Sequence, residues 1–292
     1  MEKKTVEIQA KQFRRVLTVQ DISCVGQCSL TVALPILSAC GLETAILPSA
    51  VLSTHTAGFK GFTCRDLTAD FYGILDHWQK EGITFDGIYT GYLGSAEQIA
   101  LVKRLFKDYK SPASAAIVDP AMADNGKLYP AFDMDYVAEM RTLMEAADIL
   151  VPNVTEAALL AGIEYREKTD EAYIQKLLDT LFERFDGTVV LTGVSYREGY
   201  TGVLTASKAG KCYYEHEFLP NSCHGTGDIY ASAFAGAVYR GIPVEKAAAL
   251  AADYTVSCIR LTATDPNHWY GARFEPLLGE LADSINATVS AE

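Results

Sequence analysis

The sequence has no Cys-x-x-Cys pair and no Cys/His spacing of the kind that builds a zinc site, although it carries 7 cysteines. They stand at 24, 28, 40, 64, 212, 223 and 258, an odd and scattered set that predicts reduced thiols in a cytoplasmic protein. No apolar run reaches the roughly 18 residues of a membrane span, and residues 1–7 lack an apolar signal region, so no membrane association is expected. Basic charge is scarce as well: 25 Lys and Arg face 37 Asp and Glu, a formal net charge of −12. That deficit argues against nucleic acid or an anionic surface as a partner. It leaves room for a nucleotide held by backbone amides and a divalent cation. Neither Gly-x-Gly-x-x-Gly after the first strand nor Gly-x-x-x-x-Gly-Lys-Ser/Thr occurs, which sets aside dinucleotide-binding and P-loop sites. Repeats, low-complexity tracts and Pro/Ser-rich linkers are missing too. The 292 residues are therefore expected to form a single domain, with residues 1–15 as an N-terminal tail.

What the chain does have is alternation. Short apolar runs at 16–20, 44–47, 87–89, 115–118, 149–151 and 188–191 read as strands, most of them followed by turns and helical patterns. Strand, turn and helix in repetition predict an α/β fold with a parallel sheet. Runs at 201–205 and 211–218 predict an antiparallel hairpin turning at Ala209-Gly210. Residues 53–63 carry two glycines, hydroxyls and aromatics without helical period, and read as an exposed loop or flap containing His55 and Thr56.

The chain is organised around residues 221–241, where Gly225-Thr226-Gly227-Asp228 leads into a helix rich in small residues. A glycine turn feeding a helix start gathers unpaired N–H groups at the positive end of the dipole, which suits an anion. Alone, the same four residues are equally a plain turn and helix start. Their company is positional. Asp21, Asp119, Asn153, Glu156 and Thr192 all fall just after expected strands, so a parallel sheet would bring them to one edge. Oxygen donors of that kind suit water-mediated Mg²⁺. Asp21 taken singly is as well explained by capping or turn formation. Asp228, beside a positive helix end, is expected to be a weak base.

At this point the motifs resemble those of pyridoxal/pyridoxamine kinases, members of the ribokinase-like superfamily. Ser53-Thr54-His55-Thr56, Thr90-Gly91-Tyr92-Leu93-Gly94-Ser95, Asp119-Pro120 through Asp124, Pro152-Asn153 with Glu156, and Gly225 through Asp228 occur in the family's order. The resemblance implies a ribokinase-like domain with a central mostly parallel β-sheet and helices on both faces. It also implies homodimers that use ATP, Mg²⁺ and K⁺. By it, Asp228 would be the base on a B6 vitamer's 5′-hydroxyl, and Gly225, Thr226 and Gly227 would line an anion hole. Asp21, His55, Thr56 and Tyr92 would contact the pyridine substrate. Asp119, Asp124, Asn153, Glu156 and Thr192 would serve the nucleotide, with Asp119 and Glu156 nearest the metal. The chain departs from the family at Asp21, where many members have serine, and at Val151 and Gly193. A hydroxymethylpyrimidine kinase of thiamine synthesis shares this fold, but His55-Thr56, Tyr92 and Asp228 weigh toward the B6 side. A non-catalytic B6- or nucleotide-binding regulator is the remaining alternative, and the presence of Asp228 weighs against it.

Overall fold

The computed structural model describes residues 14–220, 223–265 and 267–291, without the side chains at 112 and 113. The expected tail up to residue 13, and Asn221 and Ser222 at the head of the glycine stretch, lie outside them. The strands are β1 (Arg15–Ser23), β2 (Glu43–Leu52), β3 (Cys64–Asp66), β4 (Phe85–Thr90) and β5 (Lys110–Val118). They continue with β6 (Ala123–Asp124), β7 (Lys127–Leu128), β8 (Ile149–Leu150), β9 (Thr188–Val194), β10 (Tyr200–Ser207) and β11 (Gly210–Glu217). The helices are α1 (Leu30–Ala39), α2 (Thr68–Lys80), α3 (Ala96–Asp108), α4 (Met134–Met144) and α5 (Val154–Ala161). After these come α6 (Glu171–Phe182), α7 (Thr226–Tyr239), α8 (Val244–Thr262) and α9 (Leu278–Ala291).

Nine strands form one sheet in the order β11-β10-β9-β8-β5-β4-β1-β2-β3, and β6-β7 is a separate small hairpin. The middle of the sheet, from β2 through β1, β4, β5 and β8 to β9, is parallel, while β3, β10 and β11 join antiparallel at the two edges. Side chains alternate between two cores, as a strand period of two requires. Leu17, Ile88, Val118 and Leu191 face one core, shared with Phe71, Val102 and Leu177 of the helices. Val16, Tyr89, Ile117 and Val190 face the other, shared with Ile36, Phe234 and Ala251. Helices thus cover both faces, which is how a parallel sheet buries its two apolar sides. No helix among the described residues is long and apolar enough to cross a membrane.

Every residue of α7 from Ile229 to Tyr239 is buried, and its alanines let it lie close against β4, α1 and α8. Gly87 makes room for Tyr239: a Cβ there would come within 2.3 Å of the ring, whose hydroxyl donates to the Ala115 carbonyl at 3.2 Å. On the other face, Ser95, Asp133 and Asp170 each accept a first-turn N–H at the start of α3, α4 and α6. At α5 the cap is reciprocal: Asn153 Oδ1 accepts from the Glu156 N–H, and Glu156 Oε2 accepts from the Asn153 N–H, both at 2.9 Å. Asn153→Ala is expected to lower the unfolding free energy by about 1 kcal/mol in a urea melt. An unchanged midpoint would show that the cap carries no stability.

Two expectations need correction. The first strand does not end before Asp21 but runs on to Ser23, pairing with a β2 that extends to Leu52. Likewise Thr192 lies inside β9, not after it, because β10 pairs along that strand as far as Val194.

Candidate active site

Within the parallel middle of the sheet, β1 has β2 on one side and β4 on the other, although β2 follows it and β4 comes later in the chain. A crevice opens at the carboxyl ends of strands where order reverses in this way. Asp21 sits at that end of β1, Tyr92 just beyond β4, Asp119 directly after β5, and Asn153 beyond β8. The N-terminus of α7 arrives beside them.

Gly225 starts α7 in the left-handed region, at φ 78°, and offers no side-chain cap. Its conformation and its neighbour both demand glycine, since a Cβ would meet the Gln27 carbonyl oxygen at 1.8 Å. The first helical bond runs from the Ile229 N–H to the Gly225 carbonyl at 3.0 Å. The amides of Thr226, Gly227 and Asp228 precede it and have no intrahelical acceptor. Gly227 is exposed, and a Cβ there would meet nothing within 4 Å. The turn therefore presents amides to open space.

Asp228 is half-buried, and the surrounding protein desolvates it. Burial pushes its carboxyl up to about 7, against a hydrogen bond from the Ser29 backbone amide and with help from the negative charge of Asp21. This direction is opposite to the expectation of a weak base, and burial is its largest cause.

Asp119 (8% exposed) and Glu156 (3% exposed) are a buried pair of acids. Burial raises the Asp119 carboxyl well above the usual range, and the charges of Glu156 and then Asp228 raise it further. Burial likewise raises Glu156, whose Oε1 accepts from the Met122 N–H at 3.1 Å and the Ala123 N–H at 3.5 Å. Glu156 thereby clamps the segment after Asp119 onto the start of α5. Asp124 is exposed at the β6-β7 turn, where it accepts from Asn125. Among the described residues no group of three or more His, Cys, Asp or Glu is arranged to hold a metal.

Asp124, Asn153, Thr192 and Thr226 share a cavity of about 540 Å³, with Tyr165, Tyr200 and Phe218 also on its wall. Asp21, Asp119, Asp228, His55 and Tyr92 are not on that wall and are linked to one another through charge: Asp228 feels Asp21, Asp119 feels Asp228, Tyr92 feels Asp21, and Asp21 feels His55. Burial first, then Asp21 and Cys64, push the Tyr92 hydroxyl up to about 12.

His55, expected in an exposed loop, is only 4% exposed. Its Nδ1 accepts from the Ala57 N–H at 3.1 Å, which makes Nε2 the donor to the Tyr270 carbonyl at 2.7 Å. Its ring lies 5.6 Å from that of His224, and Phe59 packs on Trp269 at 4.7 Å. The 53–63 segment is therefore tied to the 268–270 loop, a partner 215 residues away that no local pattern shows. Thr56 is exposed, and no hydrogen bond among the described residues involves it. Sequence reasoning missed Cys28 and Cys64, whose thiols feel the charge of Asp21, and gave His224 and Trp269 no role.

Comparison with known proteins agrees with this architecture. Residues 49–273 match the family model described as phosphomethylpyrimidine kinase. The crystal structure of pyridoxal kinase from Lactobacillus plantarum superposes with a TM-score of 0.85 at 32% identity, covering 94% of this chain and 97% of that one. The pyridoxine/pyridoxal/pyridoxamine kinase of Bordetella avium is 26% identical over 255 residues, 85% of each chain. The thiamine biosynthesis bifunctional protein ThiED of Geobacter sulfurreducens is 26% identical over 84% of this chain and 49% of its own length. The chain therefore belongs to the phosphomethylpyrimidine kinase family, and it is a kinase with the ribokinase-like fold that its pyridoxal kinase relatives share.

Proposed function

We propose that the protein transfers the γ-phosphoryl group of ATP to the 5′-hydroxyl of a vitamin B6 vitamer. The observation that carries this reading is the position of the α7 turn. Thr226 lines the 540 Å³ cavity, and Asp228, two residues on, is within reach of the charge of Asp21, which also acts on Tyr92. A cavity of that size suits a nucleotide, and Asp124, Asn153 and Thr192 on its wall would contact it. The turn then lies where a phosphoryl group would cross.

In the transfer, Asp228 accepts the proton as the vitamer oxygen bonds to the γ-phosphorus and the bond to the ADP oxygen breaks. The amides of Gly225, Thr226 and Gly227 hold the charge that develops on the transferring oxygens. His55, Thr56 and Tyr92 would position the pyridine ring. The donor set suits Mg²⁺: Asp119 and Glu156 are oxygen donors, and a divalent cation would offset the charge that Glu156 imposes on Asp119. Since Glu156 already accepts three backbone N–H groups, Asp119 and water would hold the ion, with Glu156 positioning them. Mg²⁺ would neutralise phosphate charge.

The matched family and the ThiED relative favour one second reading, a hydroxymethylpyrimidine acceptor. An ADP-release assay with Mg²⁺ and K⁺ separates the two. Pyridoxal, pyridoxamine or pyridoxine is expected to support turnover with kcat/KM above that for hydroxymethylpyrimidine, and EDTA is expected to abolish it. Faster turnover of hydroxymethylpyrimidine would replace the B6 reading with the second one. ATP binding without turnover of any of the four would support a regulator instead.

A further inference from the structure

We propose that Asp21 is the specificity determinant of the acceptor side. On this proposal it is the counter-ion for a primary ammonium group, so that an aminomethyl pyridine alcohol is preferred over its aldehyde and alcohol forms. The inference rests on the B6 reading above and concerns only which vitamer the site prefers.

Asp21 is 5% exposed. The β1-β2 register slips between Gln20 and Ile22, and Asp21 stands at that slip. Irregularities of this kind re-aim side chains beside active sites. The carboxylate accepts from Ser23 Oγ at 3.1 Å and from the Ser29 hydroxyl, both neutral donors. None of the ion pairs among the described residues includes Asp21. His55 is the cationic candidate that acts on it most, but accepting the Ala57 N–H at Nδ1 fixes the neutral Nε2–H tautomer. A buried carboxylate held by neutral donors, the two hydroxyls and its own backbone N–H, is costly to keep ionised, and burial raises the Asp21 pKa accordingly.

The charge of Asp21 reaches Asp228, Tyr92, Cys28 and Cys64. These groups come from α7, the segment after β4, the β1-α1 turn and β3, which border the carboxyl end of β1 where Asp21 stands. Everything it faces there is an acid, a phenol, a thiol or a neutral imidazole. A ligand cation is the missing partner. A primary ammonium is the natural form, because alkyl amines stay protonated at neutral pH. It would also relieve the repulsion between Asp21 and Asp228. The ring nitrogen of the pyridine is the competing cation, and it is common to all three vitamers, which makes the two separable.

The test compares kcat/KM for pyridoxamine, pyridoxal and pyridoxine in the parent chain, Asp21→Asn and Asp21→Ser. The parent is expected to favour pyridoxamine by about tenfold or more, the scale of one charge-assisted hydrogen bond. Both variants are expected to lose that preference, mainly through a higher KM for pyridoxamine. Equal vitamer ratios in parent and variants would overturn the proposal. So would a parallel loss on all three vitamers, which is what a ring-nitrogen contact or a damaged fold produces. Calorimetric titration of the parent alone needs no variant to fold. Pyridoxamine should bind more tightly than pyridoxine, its neutral near-isostere, and equal affinity would overturn the proposal independently. Should the parent phosphorylate no vitamer at all, the B6 reading itself fails, and the selectivity proposal falls with it.

Discussion

In Asp228→Asn, kcat is expected to fall by about 10²- to 10⁴-fold, the usual contribution of a positioned general base, while ATP binding remains measurable. Asparagine keeps the size and the hydrogen bond from the Ser29 amide but cannot accept a proton. ATP would bind on the cavity side, at Asn153, Thr192 and the α7 amides, which the substitution leaves in place. The pH dependence should change with it. The parent carboxyl is pushed up to about 7 by burial, so kcat/KM on the free enzyme should rise with pH through about that value. The amide has no proton to lose there, so Asp228→Asn should lack that limb.

Stability should move the other way. A carboxyl whose folded pKa lies above its unfolded value binds its proton more tightly when folded. Its contribution to stability is full below the unfolded pKa and is lost as pH rises toward about 7. Above that pH the parent carries a desolvated charge and Asp228→Asn does not, so the variant should melt at the same temperature or higher. A variant with near-parental turnover would remove Asp228 from its role. A fall in Tm matching the fall in activity would make the loss structural.

The two glycines of the turn should separate structure from catalysis. At Gly225, φ of 78° and a Cβ 1.8 Å from the Gln27 carbonyl oxygen mean that alanine forces backbone against backbone. Left-handed strain alone costs about 1–2 kcal/mol. The turn must also shift, and about 1 Å of misplacement can cost about 10²-fold in rate. Gly225→Ala is thus expected to lower both Tm and kcat, the latter by about 10²-fold or more. At Gly227 a Cβ meets open space and φ is not in the left-handed region. Gly227→Ala should keep the parental Tm while weakening turnover, because its methyl enters the space proposed for the phosphoryl group. Melting curves and steady-state rates for the two variants decide the matter. Full activity in Gly227→Ala would show that the open face of the turn is not where phosphate passes.

Much of the fold was legible because strands and helices announce themselves locally. Short apolar runs placed β4, β5 and β9, and Ser95, Asp133 and Asp170 are of the residue types that helix starts prefer. The positions of Asp119 and Asn153 after strands followed from the same pattern. What stayed hidden depends on distant partners. β3 is three exposed residues that pair with β2 and carry no apolar signal of their own. His55 is buried by the loop around Tyr270, and the slip beside Asp21 arises from pairing with β2. The basicity of Asp228 depends on packing around a helix end, a quantity that no four-residue motif contains. Glu156 could have been read as a capping-box partner from its spacing to Asn153 alone, and the structure gives it that role.

The most direct test of the central claim is the identity of the product. Incubation with ATP, Mg²⁺, a B6 vitamer and hydroxymethylpyrimidine together, followed by phosphorus NMR and mass spectrometry, should show ADP and the vitamer's 5′-phosphate monoester in equal amounts. ADP formed without a phosphorylated vitamer, or phosphate found only on hydroxymethylpyrimidine, would contradict the account.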